Sequence, residues 1–171
     1  MRRPTRRLSN RGFICAAAIA LGACALLPWL SVLEVTDATN GKIRFQRWVR
    51  PGTLVRVTAY HSVEKSFLTD FLRAESEGLV LTGSRFATHG AGLPTSYAPG
   101  ESWQNQPGAF TLDGRHRTLR SFLLRVGGKN QNPLRVGLDP KTRQGGISPV
   151  LGPGLYQISV RRRSLFSWAL P

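Results

Sequence analysis

The chain has 171 residues, 41% hydrophobic and 19% charged, a balance that suits one packed domain plus an appendage and excludes a disordered or low-complexity protein. Its 24 Lys and Arg against 9 Asp and Glu give a formal charge of +15. With two cysteines in the whole chain, a disulfide-dense scaffold and a cysteine-built zinc site are excluded.

The charge is unevenly placed. Arg2, Arg3, Arg6, Arg7 and Arg11 form a basic arm over residues 1–11, and every acidic residue comes later, so the remainder holds 19 Lys and Arg against 9 acids, a balance of +10. From Gly12 to Leu33 run 22 residues without a charged side chain. As a helix they would reach about 33 Å, the thickness of a bilayer's hydrocarbon core, and the stretch reads as a transmembrane anchor over residues 12–33. Trp29 stands where an indole marks the far interface, and the arginine arm holds the N-terminus in the cytoplasm by the positive-inside rule. The expectation is a single-pass protein of the inner (cell) membrane, its bilayer partner on residues 12–33 and its C-terminal part extracytoplasmic. A second reading is lipidation, because Leu21, Gly22, Ala23 and Cys24 resemble a lipobox, although the nine residues after Cys24 stay apolar. A third is ordinary signal cleavage. Cys15 and Cys24 both lie in this segment, so the exported part has no thiol.

Leu30 to Thr36 reads as a first strand, Asn40-Gly41 as a tight hairpin turn, and Lys42 to Val49 as the returning strand. In the latter Ile43, Phe45 and Val49 take one face, and Lys42, Arg44 and Gln46 the other. After the break at Pro51-Gly52, Thr53 to Tyr60 alternates again, with Val55, Val57 and Ala59 on one side and His61 continuing that side. Ser66 to Glu75 is ambiguous, since Phe67, Leu68, Phe71 and Leu72 fit a short helix as well as a strand. Leu79 to Thr88 is a strand that ends at Gly90 to Pro94. Thr95 to Gln106 is polar around Trp103 and reads as a long surface loop. Ala109 to Leu112 reads as a short strand stopped by Asp113-Gly114, and Ser121 to Val126 as another. Leu124-Arg125-Val126-Gly127 recurs at Leu134-Arg135-Val136-Gly137, as two arms of a hairpin would. Leu155 to Val160 closes the sheet, with Tyr156, Ile158 and Val160 on one face. Short strands at near-regular spacing predict an all-β domain over residues 34–160, a small antiparallel β-sandwich or partly closed barrel. Residues 161–171 form a basic and aromatic tail, with Arg161, Arg162 and Arg163 before Leu165, Phe166 and Trp168. That tail reads either as a membrane-surface segment or as a solvated end.

Polar chemistry gathers between Ala59 and Pro94. Tyr60, His61, Ser62, Val63, Glu64 and Lys65 form one cluster, Asp70 follows, and His89, Gly90, Ala91, Gly92, Leu93 and Pro94 form the second. His61, Ser62 and Glu64 have the residue types of a hydrolytic triad, yet neighbours in an extended chain point to opposite faces. His61, Glu64, Asp70 and His89 could ligate a divalent metal if the clusters converged, though no tight ligand spacing is present. The plainer reading makes His61 a hydrogen-bonded strand end and Glu64 an ion-pair partner. Gly90-Ala91-Gly92 lacks the pattern of a phosphate loop, and its glycines suit a turn or a close backbone approach.

These paired motifs, Tyr60 to Lys65 with Asp70, Phe86 to Pro94, and Leu124-Arg125-Val126-Gly127, resemble the domain-of-unknown-function 1850 (DUF1850) family over about Leu30 to Val160. The resemblance implies a small membrane-tethered extracytoplasmic domain, often encoded beside the permease and solute-binding protein of a TAXI-type TRAP transporter, with no established activity. It also implies that Leu68, Asp70 and Leu72 lie on a strand. Two departures stand out: Phe67 takes a position often held by proline, and the tail from Arg161 is unusually basic.

The expected function is that of a non-enzymatic accessory or docking protein of a TRAP-type (TAXI) solute transport system, whose permease and solute-binding protein are the candidate partners. No cofactor, metal or nucleic acid is expected. The binding residues would be Tyr60, His61, Ser62, Glu64, Lys65, Asp70, His89, Gly90, Gly92 and Pro94. Two alternatives stay open: a hydrolase or metal-dependent enzyme centred on His61, Glu64 and His89, and a lipoprotein-like sensor for a small anionic solute.

Overall fold

Alternation of apolar and polar residues with glycine and proline at the breaks yields an all-β fold in two antiparallel sheets, with no closed barrel among the described residues. The computed structural model describes residues 14, 15, 22, 26–61, 63, 65–87, 96, 98–127, 134–138 and 150–169. The chain divides into two compact units, Ser31–Arg161, and Met1–Leu30 with Arg162–Pro171. Half of the expected anchor, eleven of the residues 12–33, lies outside the described residues. Among the described residues no helix is long and apolar enough to cross a membrane.

The strands are β1 (Leu30–Asp37), β2 (Ile43–Trp48), β3 (Leu54–His61), β4 (Ser66–Ala74), β5 (Leu79–Phe86), β6 (Ser102–Gln106), β7 (Ala109–Leu119), β8 (Ser121–Val126), β9 (Leu134–Leu138), β10 (Val150–Leu151) and β11 (Gly154–Arg163). One short helix, α1 (Leu165–Ala169), follows. A four-stranded sheet has the order β2-β1-β11-β8, and a seven-stranded sheet the order β10-β9-β3-β4-β5-β7-β6.

The core joins the two sheets. Leu33, Val35, Val126, Tyr156, Ile158 and Val160 of the smaller sheet cluster with Val55, Val57, Leu72, Ala74, Leu79, Val136, Leu138 and Leu151 of the larger. Val55 and Val57 meet this core as their alternation requires, and so do Tyr156, Ile158 and Val160. The Asn40-Gly41 hairpin also forms as read: Asp37 N–H donates to Lys42 O at 2.8 Å and Gly41 takes φ +73.

One open reading is settled and three change. Ser66–Ala74, ambiguous from its periodicity and a strand by the family resemblance, is a strand, because every residue from Ser66 to Arg73 pairs with β3 and Leu72 and Ala74 enter the core. The expected loop up to Gln106 contains β6, an edge strand paired with β7 over five residues. Its side chains look loop-like because it buries little beyond Trp103, which meets Phe86 edge-to-face at 5.4 Å. Asp113-Gly114 does not end its strand: β7 runs through eleven residues, with Gly114 at φ +82 inside a bulge. There Gly83 opposes Asp113 and Leu81 opposes Arg117, so three β7 residues face Thr82 alone. Finally, the two Leu-Arg-Val-Gly segments are not hairpin arms. β8 belongs to the smaller sheet and β9 to the larger, and their like sequences reflect like roles, since Val126 and Val136 both enter the shared core.

Candidate functional site

Register places the first polar cluster. Val57 opposes Asp70, Ala59 opposes Leu68 and His61 opposes Ser66, so His61 and Asp70 share the inner face of the larger sheet with buried Leu72. The same register continues outward. Asp70 opposes Ser84, Ser84 opposes Leu112 and Leu112 opposes Trp103, giving one straight row Val57–Asp70–Ser84–Leu112–Trp103 across five strands. The next row carries Ala59, Leu68, Phe86, Phe110 and Asn105, in which Phe86 and Phe110 stack at 6.2 Å.

Asp70 and Ser84 are the polar pair in this apolar setting. Ser84, 3% exposed, donates its hydroxyl to Asp70 Oδ1 at 2.6 Å. Burial pushes the Asp70 carboxyl above its ordinary 3.8, outweighing both the Ser84 hydrogen bond and the Arg115 charge. Arg115 comes from the β7 bulge and pairs with Glu101 at 3.1 Å. The Ala98 N–H donates to the other Glu101 oxygen at 2.9 Å, and this bond, with Arg115, holds Glu101 below its ordinary value. Two glycines permit this arrangement. A Cβ on Gly83 would come within 2.8 Å of Leu112 O, and one on Gly114 would collide with Gly100 O. Strands β5, β7 and the approach to β6 therefore close on each other only because those side chains are missing.

The loop joining β3 to β4 spans residues 62–65. Lys65 is exposed and, alone among the described non-glycine residues, has positive φ, at 50°. Val63 is 66% exposed and Phe67 45% exposed, and Phe67 meets Tyr60 edge-to-face at 5.7 Å on the outer face. That outer face carries a row of Arg135, Thr58, Thr69, Arg85 and Thr111, with the Thr58 and Thr69 hydroxyls 3.0 Å apart and Arg85 and Arg135 exposed.

Of the expected binding residues, Tyr60, His61, Lys65 and Asp70 are described, whereas Ser62, Glu64, His89, Gly90, Gly92 and Pro94 lie outside the described residues. Strand β5 leaves the sheet at Phe86, level with Ala59 and Leu68, so the chain leading to the second polar cluster departs from the end that carries the 62–65 loop. Among the described residues no group of three His, Cys, Asp or Glu could hold a metal ion. Sequence reading missed Ser84, Arg115 and Glu101. No spacing in the sequence hints at them, because only the pairing of β5 with β7 sets Ser84 and Arg115 by Asp70, and Glu101 joins through Arg115.

The opposite end of the domain holds both strand termini of the smaller sheet. Ser31 Oγ donates to Ser76 O at 3.0 Å, and Gly78 N–H donates to Val160 O at 3.0 Å. The start of β1 and the late part of β11 therefore lie beside the 75–78 turn. The nine residues of β4 separate that turn from the 62–65 loop, roughly 25 Å of extended chain.

A family model described as domain of unknown function (DUF1850) matches residues 56–139, from early β3 to just beyond β9. No curated protein and no solved structure matches the chain.

Proposed function

The chain belongs to the DUF1850 family through residues 56–139, and from that premise we propose that it is a membrane-tethered extracytoplasmic docking domain serving a TRAP-type (TAXI) solute transport system. The observation that carries this reading is the polarity of the domain. Ser31 and Val160 lie beside the 75–78 turn at one end of the sheets, and His61, Val63 and Lys65 lie at the other. With the apolar stretch of residues 12–33 as its anchor, the domain would offer this motif end to a permease's outer surface or a solute-binding protein.

The chemistry of that end suits a protein partner. Val63 and Phe67 are exposed and Tyr60 meets Phe67 edge-to-face, an aromatic anchor of the kind that dominates interface energetics. Exposed Lys65, Arg85 and Arg135 near it favour an acidic partner surface and speed the encounter with one. Asp70 and Ser84 link β4 to β5 by a side-chain hydrogen bond.

Affinity purification of the full chain from detergent-solubilised membranes tests the proposal. Permease or solute-binding protein should copurify with the native chain, and the paired substitutions Phe67→Ser and Lys65→Glu should lower the yield by about tenfold or more, as loss of an interface anchor does. Equal recovery with the variant, or no transport protein with either, contradicts it.

A further inference from the structure

The docking reading leaves the C-terminal segment unused, although it is the most cationic stretch of the exported part. Strand β11 extends through Arg163, and Arg161 and Arg162 are exposed on it. The chain then turns into α1, whose start is fixed by reciprocal caps. Ser164 Oγ accepts from Ser167 N–H at 3.0 Å, and Ser167 Oγ accepts from Ser164 N–H at 3.0 Å. This is the double bond of a capping box, built with serine in the third position. It holds a single turn in shape where five residues alone would fray. On that turn Leu165 is 40% exposed and Phe166 60% exposed.

A short ordered turn that offers leucine and phenylalanine to the outside directly after a run of arginines has the make-up of an interfacial membrane contact. Apolar side chains enter the headgroup boundary and guanidinium groups meet lipid phosphates. We propose that residues 161–168 form a second, interfacial anchor that binds anionic phospholipid headgroups. The inference rests on the tethered arrangement invoked above but not on the identity of any docking partner. An acidic protein surface could attract the same arginines, and it would leave Phe166 out of lipid.

The test uses the full chain reconstituted in vesicles, with an environment-sensitive fluorescent amino acid in place of Phe166 or, in a second protein, of Val63. In phosphatidylcholine vesicles containing about one-third phosphatidylglycerol, lipid-borne quenchers should quench position 166 roughly fivefold more than position 63. The double variant Arg161→Ser, Arg162→Ser should lower quenching at 166 by about half, and the remainder should no longer depend on the anionic fraction. Circular dichroism of each protein checks that the sheets are intact. Position 166 as water-exposed as position 63, or quenched equally with and without anionic lipid, overturns the proposal. Position 63 found in lipid instead counts against the docking reading and leaves the tail's assignment standing.

Discussion

Asp37 and Asp70 answer to pH in opposite senses, and the difference follows from what surrounds each carboxylate. Asp37 accepts from the Thr39 hydroxyl and N–H, from Asn40 Nδ2 and from Arg44, and these bonds, Thr39 foremost, hold it well below the usual carboxylate range. As pH falls below 3.8 the unfolded chain takes up this proton before the folded one does, so the stability Asp37 contributes is present at neutral pH and drains away in acid. Asp70 is raised by burial, so its sign is reversed. Below 3.8 it costs nothing, and as pH climbs through its folded value the fold bears a charged group it would rather keep neutral. Thermal denaturation across pH should therefore show Asp37→Asn destabilised at pH 7, with the deficit shrinking toward pH 3. Asp70→Asn, which preserves an acceptor for Ser84, should be stabilised at pH 7, with the gain vanishing toward pH 3. Lys65 supplies a third case. Its φ of 50° costs about 1 kcal/mol relative to glycine, so Lys65→Gly should raise stability by up to that amount while weakening partner capture. Chemical denaturation and copurification would read the two effects separately. Asp70 was legible in the sequence as a polar residue within a motif. Its partners were not, because Ser84 and Arg115 lie 14 and 45 positions away and meet it only through strand register.

Strands with clean alternation declared themselves, and those whose partner decides their character did not. β3 and β11 could be read residue by residue, because each buries one face against the core. β6 could not: it is an edge strand whose polar side chains face outward, and its place in the sheet comes from pairing with β7 and from Trp103 packing on Phe86. The Asp113-Gly114 pair misled for a related reason, since the dipeptide that makes hairpins also makes bulges. Gly114→Ala would force a Cβ into Gly100 O at a positive φ, and the expected loss is about 2 to 3 kcal/mol in urea unfolding. The variant Gly108→Ala, whose Cβ has open space and only the φ of 71° against it, should lose about 1 kcal/mol. Equal losses would mean that the close approach of β7 to the turn before β6 carries no weight.

At the scale of the molecule, the sequence pointed to a small antiparallel sandwich or a partly closed barrel and left the strand order unstated. Composition and patterning sufficed for two sheets around one core, and the order of strands within each sheet needed the long-range pairings of β3 with β9 and of β1 with β11. Those pairings set Ser31 and Val160 beside the 75–78 turn, with Val63 and Lys65 past the far ends of β3 and β4. A photo-crosslinking amino acid placed at position 63 or at position 76 of the full chain in membranes tests the proposed docking most directly, because the two sites lie at opposite ends of β4. If the proposed TRAP-type partner docks there, a covalent adduct to one of its subunits is expected from position 63 and none from position 76. The same adduct from position 76, or lipid as the product at position 63, would contradict it.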